Sequence, residues 1–549
     1  MAALLTGPGC QTSDDPPPSA KTASDTPVVA SHAASDKPPV DSSIRFEEMS
    51  AQQAPNFRHG LSRQDDAVTA RYFFPDIMCG GAGLIDFDSD GDSDLLLTDV
   101  GTIPGHPSGP NRSPSIRLFR NDSEAFVEVT ADAGIDSDCF AMGVAVGDVN
   151  NDSHPDFYLT AWGSDQLWLN QGDSTFRNIT DRCGITNLQW GASAAFMDYD
   201  RDGLLDLFVT NYVDYQPFTP CRDASGHDDY CNPAVFPRTS DRLFRNCSAD
   251  GNTRFEDVST VSGISSHTGA GLGVVWSDFN GDQWPDIYVA NDGHANVMWI
   301  NQKNGQFVDT AVLSGTAYDS LGRGQAGMGV AIGELNDDGI PDLVVTHLDG
   351  ESHAVYESRS SGVFEDAASR SAIFKASLPH TGFGVALGDL DLDGDLDLVI
   401  ANGRVRRSES AAPAAEFSWD DYSEKCQLFI NSQGFQEARN AQDQFTSSPG
   451  IHRSLILTDI DQDGDLDMLV SCIAGPPRLL QNQTPGTNNW LSCRLTDPSC
   501  GGRDAYGAKI TLSTPTQKQV RWVNPGTGYL SSGDPRVSFG LGTDATILA

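Results

Sequence analysis

Apolar runs in this chain are short. None approaches the roughly 20 residues of a membrane-spanning helix, so no span is expected. Positive charge is scarce as well. Lys and Arg number 35 against 76 Asp and Glu, and the net charge of −41 argues against nucleic acid and anionic membrane surfaces as direct partners. There is no CxxC pair and no Cys/His cluster at zinc spacing. GxSxG, HExxH and phosphate-cradling glycine loops are missing too, so none of those catalytic signatures applies. Eleven cysteines are present. Cys221 and Cys231 lie close together, as do Cys493 and Cys500, so local disulfides in an oxidising compartment are plausible, while Cys79, Cys139 and Cys472 read as buried free thiols.

What the chain does have is acid at fixed spacing. A nine-residue pattern places carboxylates at positions 1, 3, 5 and 9 and glycine at 6, and it occurs seven times. Four copies are fully acidic at the four ligand positions: Asp86, Asp88, Asp90, Asp94 (with Asp92 at 7); Asp198, Asp200, Asp202, Asp206; Asp389, Asp391, Asp393, Asp397 (with Asp395 at 7); and Asp459, Asp461, Asp463, Asp467 (with Asp465 at 7). Three carry an amide at position 3: Asp148, Asn150, Asp152, Asp156; Asp278, Asn280, Asp282, Asp286; and Glu334, Asn336, Asp338, Asp342. Side-chain oxygens converging from a sharply turned loop, with a backbone carbonyl from position 7, are what a hard cation such as Ca²⁺ requires. The three amide-bearing loops lose a formal charge, and two have Ser153 or Gln283 where the glycine belongs, so weaker occupancy is expected there.

Each loop leads into a short β-like run, and blade-length units of four strands recur between residues 44 and 487. Five residues before each first ligand stand Gly81, Gly143, Ser193, Gly273, Gly329, Gly384 and Ser454, all small. Such a period-two face fits inner strands crowding a central axis. The expected fold is all-β, a seven-bladed β-propeller. The seventh repeat lacks its outer strand, and Arg45–Met49 matches the missing piece, so the N-terminal strand is expected to close the ring.

Residues 1–43 form a leader and a Ser/Pro-rich linker without hydrophobic periodicity. The first ten residues resemble the end of a bacterial lipoprotein signal peptide with Cys10 as the acylated residue; plain disorder is the alternative. Two insertions, 213–240 and 403–424, interrupt the spacing and are candidates for partner binding or for mere decoration. At the expected channel mouth, His380, Cys139, Gln189, Gln325, His452 and Cys79 recur at similar offsets. They are candidates for a catalytic site there, or are residues that fill the channel. From 488 to 549 the text changes to a small β module.

The loops and their strands resemble FG-GAP/VCBS repeats, the units of the integrin α head. The closing segment, with Asn488-Asn-Trp-Leu491, Arg503–Ile510, Gly528–Ser532 and Arg536–Gly542, resembles the ASPIC/UnbV module, shortened at its end. Together they resemble the cartilage-acidic-protein family. That resemblance implies a calcium-binding propeller in an extracytoplasmic setting, secreted or anchored in the cell envelope. Its expected role is non-enzymatic, presenting loops for adhesion or for a protein or glycan ligand. The alternative is a propeller lyase or hydrolase working at the channel mouth.

Overall fold

The computed structural model describes residues 38–61, 72–104, 114–407 and 419–548, apart from residues 124, 218, 224, 225, 433 and 527. Cys10, most of the 1–43 leader and the centre of the second insertion lie outside the described residues. Seven sheets carry the repeats, and each runs outward from the axis as strands A to D. In blade two these are Phe140–Gly147, Asp156–Trp162, Gln166–Asn170 and Phe176–Asn178. The chain is a seven-bladed β-propeller.

The seam lies where the sequence places it. Phe46–Glu48 pairs antiparallel with Arg478–Asn482, Phe46 opposite Asn482, and completes blade seven. A further strand, Val40–Asp41, lies before the boundary expected at residue 44 and adds in parallel to Phe435–Arg439 of blade six.

Crowding at the axis explains the small residues. A Cβ on Gly81 would meet Met142 O at 2.3 Å, and one on Gly329 would meet Phe383 O at 2.0 Å, so backbone stands where a side chain would go. Strand-B hydroxyls stitch neighbouring blades together there. Thr210 Oγ1 lies 3.0 Å from Ser193 O in its own blade and 3.1 Å from Leu272 O in the next, and Thr346 lies 2.9 Å from Phe383 O of blade six.

The C-terminal segment forms its own small sheets, with Asn489–Cys493 against Val537–Gly542 and Lys509–Ser513 against Lys518–Trp522. It does not stand apart from the ring. Gly528–Ser532 leaves it and enters the channel, where Ser531–Ser532 adds in parallel to Ala82–Gly83 of blade one. Gly528 exchanges two backbone hydrogen bonds with Val330 of blade five. Leu530 N–H donates to Ser193 Oγ of blade three, and Ser454 Oγ of blade seven donates to Tyr529 O at 2.9 Å. Inner-strand edges that would otherwise face an open bore are satisfied by this peptide.

From the opposite face the short helix Phe74–Met78 fills the bore, every residue of it buried. The two plugs meet, because the Tyr529 hydroxyl donates to Met78 O at 2.7 Å. Beside them lies Arg453, fully buried, with Nε on Ile77 O at 2.7 Å, Nη1 on His452 O at 2.6 Å and its guanidinium 3.9 Å from the Phe383 ring centroid. Burial lowers its pKa to about 10, and the carbonyls around it compensate a charge that solvent cannot reach.

Candidate metal loops and the opposite face

All seven loops adopt one backbone shape. Position 6 lies in the left-handed region throughout, from φ 70° at Gln283 to φ 108° at Gly394. Glycine reaches that region freely, whereas Ser153 and Gln283 hold it at a conformational cost. Substituting the glycine therefore leaves the turn in place.

The loops differ in what their carboxylates meet. In the four fully acidic loops three carboxylates converge, with ligand atoms within 4.8 Å of one another: Asp86, Asp88 and Asp90; Asp198, Asp200 and Asp206; Asp389, Asp391 and Asp393; Asp459, Asp461 and Asp467. Among the described residues the other three loops form no such group. In two of them the position-3 amide turns inward: Asn150 Nδ2 donates to Asp152 Oδ2 at 2.8 Å, and Asn336 Nδ2 to Asp342 Oδ1 at 3.1 Å. The acidic loops instead leave oxygens stranded. Asp88, Asp200, Asp391, Asp459 and Asp465 each bury an Oδ1 that accepts no hydrogen bond. Burial first, and the neighbouring carboxylates after it, push Asp391 and Asp459 each up to about 6 and Asp465 to about 8. Asp92 is turned elsewhere, toward Gln462 and Ser123.

The ninth-position acid has a second duty that its spacing does not reveal. Asp286 Oδ2 accepts Phe279 N–H at 3.1 Å and its Oδ1 accepts Asn301 N–H at 2.8 Å, tying loop to strand C. Asp94, Asp156, Asp206, Asp342, Asp397 and Asp467 make the same two bonds in their blades. Burial pushes Asp94, Asp286, Asp342 and Asp467 each up to about 8. The asparagine that ends strand C then reaches back one blade. Asn170 Nδ2 donates to Phe87 O, Asn246 to Val149 O, Asn301 to Tyr199 O and Asn482 to Leu390 O, at 2.8 to 2.9 Å. The recurring Asn in Leu-Phe-Arg-Asn and its relatives is the signal that could have found these clamps.

The C-terminal segment lies over this loop face. Arg494 pairs with Asp86 at 3.3 Å, Arg503 and Arg521 donate to Gly203 O and Gly394 O, and Gly540 N–H donates to Asp389 Oδ2 at 2.9 Å.

On the opposite face the two insertions meet over the axis. Asp229 of the first accepts Tyr422 OH at 2.6 Å and Arg407 N–H at 3.1 Å from the second. A cavity of about 900 Å³ lies there, with Phe74, Met78, Met328 and Phe383 deep in it and Arg222, Asp292, Asp349 and Arg406 among its polar lining. The Cys221–Cys231 disulfide, as expected from spacing, closes the first insertion. Cys493 and Cys500 are free thiols instead: Cys493 ends a strand paired with Val537, and Cys500 ends a separate turn. The six channel-mouth candidates are engaged locally. Cys79 faces His59, Cys139 faces Ser137, Gln189 accepts from Asn211, Gln325 donates to Ser352 O, His380 lies 3.7 Å from Glu424, and His452 faces Asn402 O. No helix among the described residues is long and apolar enough to cross a membrane.

The fold and its loops define a propeller built of FG-GAP-like repeats with an ASPIC and UnbV segment at its C-terminal end. The FG-GAP-like repeat model matches residues 86–159, 148–209, 278–345 and 334–400, and the ASPIC and UnbV model matches 499–549. At the level of whole proteins the chain is similar to cartilage acidic protein 1. The Mus musculus protein is 27% identical over 486 residues, 84% of this chain and 68% of that one, and the Homo sapiens protein is 26% identical over 490 residues, 84% and 67%. Among solved structures, the exotype rhamnogalacturonan lyase YesX aligns with a TM-score of 0.39 at 11% identity, over 81% of this chain and 76% of that one, a likeness too low to transfer any activity.

Proposed function

We propose that this chain is a non-enzymatic, extracytoplasmic propeller whose Asp86, Asp389 and Asp459 loops bind calcium and whose opposite face takes a protein or glycan partner. One observation carries the calcium reading: each of these three loops buries carboxylate oxygen that accepts no hydrogen bond, on Asp88, on Asp391, and on Asp459 and Asp465. A buried, unpaired carboxylate is costly, and a divalent ion with oxygen ligands removes that cost. Positions 1, 3 and 5 of the Asp86 and Asp389 loops, and 1, 3 and 9 of the Asp459 loop, would hold it. Magnesium suits such sites less, since it keeps its waters and takes fewer protein ligands. The ion would supply charge compensation alone.

The extracytoplasmic part rests on the Cys221–Cys231 disulfide, which a reducing compartment would not preserve, and on the likeness to cartilage acidic protein 1. The partner surface rests on the bridged insertions and their cavity, whose size suits a ligand rather than a few waters.

Each occupied loop stabilises the folded chain by about 2.7 kcal/mol at a hundredfold excess over the dissociation constant. Adding EDTA in dilute buffer should therefore lower Tm, and returning calcium should restore it. An unchanged Tm sinks the calcium reading. A protein and glycan array, probed with and without calcium, tests the partner.

A further inference from the structure

By sequence the Asp198 loop ranks with the three other fully acidic loops. Its surroundings set it apart. Arg245, on strand C of the same blade, donates Nε to Asp200 Oδ2 at 2.6 Å and Nη2 to Asp202 Oδ2 at 3.2 Å. Two of the four ligand carboxylates are thus held by one planar fork, a geometry that suits guanidinium and carboxylate well. Asp202 is absent from the converging group, as Asp463 is from that of the Asp459 loop, whereas Asp90 and Asp393 remain in theirs, so the distinguishing feature of this loop is the guanidinium itself. Among the described residues no other fully acidic loop has two of its carboxylates on one basic side chain: Arg494 meets the first loop through Asp86 alone, and the Asp389 and Asp459 loops form no ion pair.

Blade one supplies the internal comparison. Arg120 occupies the same place on strand C, immediately before the terminal asparagine, and has the same reach. It turns away from its loop, donating Nε to Asp122 Oδ1 at 2.6 Å and Nη2 to Asp122 Oδ2 at 3.2 Å. The residue after the asparagine decides the matter. It is Asp122 in blade one and Cys247 in blade three, and a thiol offers Arg245 no anion. With no competitor at hand, the guanidinium goes to the loop.

We propose that Arg245 is the resident cation of the blade-three loop, a tethered guanidinium that takes calcium's place and closes this loop to tight calcium binding. The inference rests on the calcium reading of the other loops. A metal entering here has either to do without Asp200 and Asp202 or to displace a cation that cannot diffuse away, so its affinity falls.

Two variants test this on the full chain, with calcium alone as the probe. Arg245→Gln removes the guanidinium. Cys247→Asp keeps it but offers the competitor that blade one has. Bound calcium is counted by native mass spectrometry, affinities are read by calorimetry, and circular dichroism checks the fold. Each variant is expected to bind one calcium more than the wild type, the added site at least tenfold tighter than any wild-type binding to this loop. In the wild type, Asp202→Asn should leave the count unchanged. An unchanged count in a folded Arg245→Gln or Cys247→Asp protein overturns the proposal, and so does a lower count in Asp202→Asn. A wild type that binds no calcium overturns the calcium reading instead.

Discussion

Tyr529 offers the sharpest test of how ring and C-terminal segment depend on each other. Its side chain is fully buried at the axis, donates to Met78 O at 2.7 Å and packs edge-on against Phe383 with ring centroids 4.9 Å apart. Replacing it with Phe keeps the ring and strips one donor from a buried carbonyl, a loss of about 1–3 kcal/mol. Replacing it with Ala also removes the ring and leaves a cavity between blades that cannot close inward. Large-to-small changes of that kind cost about 3–5 kcal/mol, to which the lost hydrogen bond adds about 1. Urea unfolding followed by tryptophan fluorescence reads both, since Trp162 and Trp190 lie in the cluster that holds Phe74 and Met78. The expected order of midpoints is wild type, then Tyr529→Phe, then Tyr529→Ala, each in a single transition, because the peptide is bonded to the inner strands of blades one, three, five and seven and, through Val144 N–H and Val146 N–H, to that of blade two. A Tyr529→Ala protein within about 0.5 kcal/mol of the wild type, the range of a neutral surface change, would refute the reasoning. So would a variant in which the C-terminal segment melts early while the ring keeps its midpoint.

Two further outcomes follow from the same contacts. Asn301→Ala removes the donor to Tyr199 O at 2.9 Å and Pro285 O at 3.1 Å, and should cost about 1–3 kcal/mol in the same unfolding assay, against a near-neutral Glu256→Ala on the exposed outer strand. His347 is fully buried, with its pKa lowered by burial from 6.5 to about 4, so the unfolded chain binds a proton that the folded chain refuses. Its stability contribution is complete above pH 6.5 and is lost as pH falls toward 4, at about 1.4 kcal/mol per pH unit; the gap between wild type and His347→Gln should change with that slope over this window and stay constant above it.

Much of the ring is legible in the sequence because its demands repeat. Gly81, Gly329 and their counterparts are small for one reason seven times over, and Arg45–Met49 completes a pattern that the other six blades spell out. The difference between the acidic and the amide-bearing loops is legible for a similar reason, since Asn150 and Asn336 put an N–H₂ where a carboxylate would stand. The axial peptide is another matter. Gly528–Ser532 has no apolar periodicity, and most of its bonds run through backbone groups that every residue carries. Position 9 was legible as acid but not as a tie between loop and strand C, because that role depends on where strand C lies. Arg245 and Arg120 share a sequence context and part ways over one neighbour. Cys493 and Cys500 show the limit of proximity along the chain: seven residues apart, they belong to different elements facing different partners.

The position of the axial peptide also bears on how the molecule is made. Residues 46–48 must wait for 480–482 before blade seven exists, and the inner strands must wait for 528–532 before their edges are satisfied. On the ribosome, all seven repeats therefore emerge before either closing event can occur. Until then a nearly finished ring has an unsealed seam and a row of unpaired backbone groups around its bore. Contacts between such distant residues form slowly, and open strand edges invite pairing with other chains meanwhile. Docking of residues 528–532 ends that vulnerable interval.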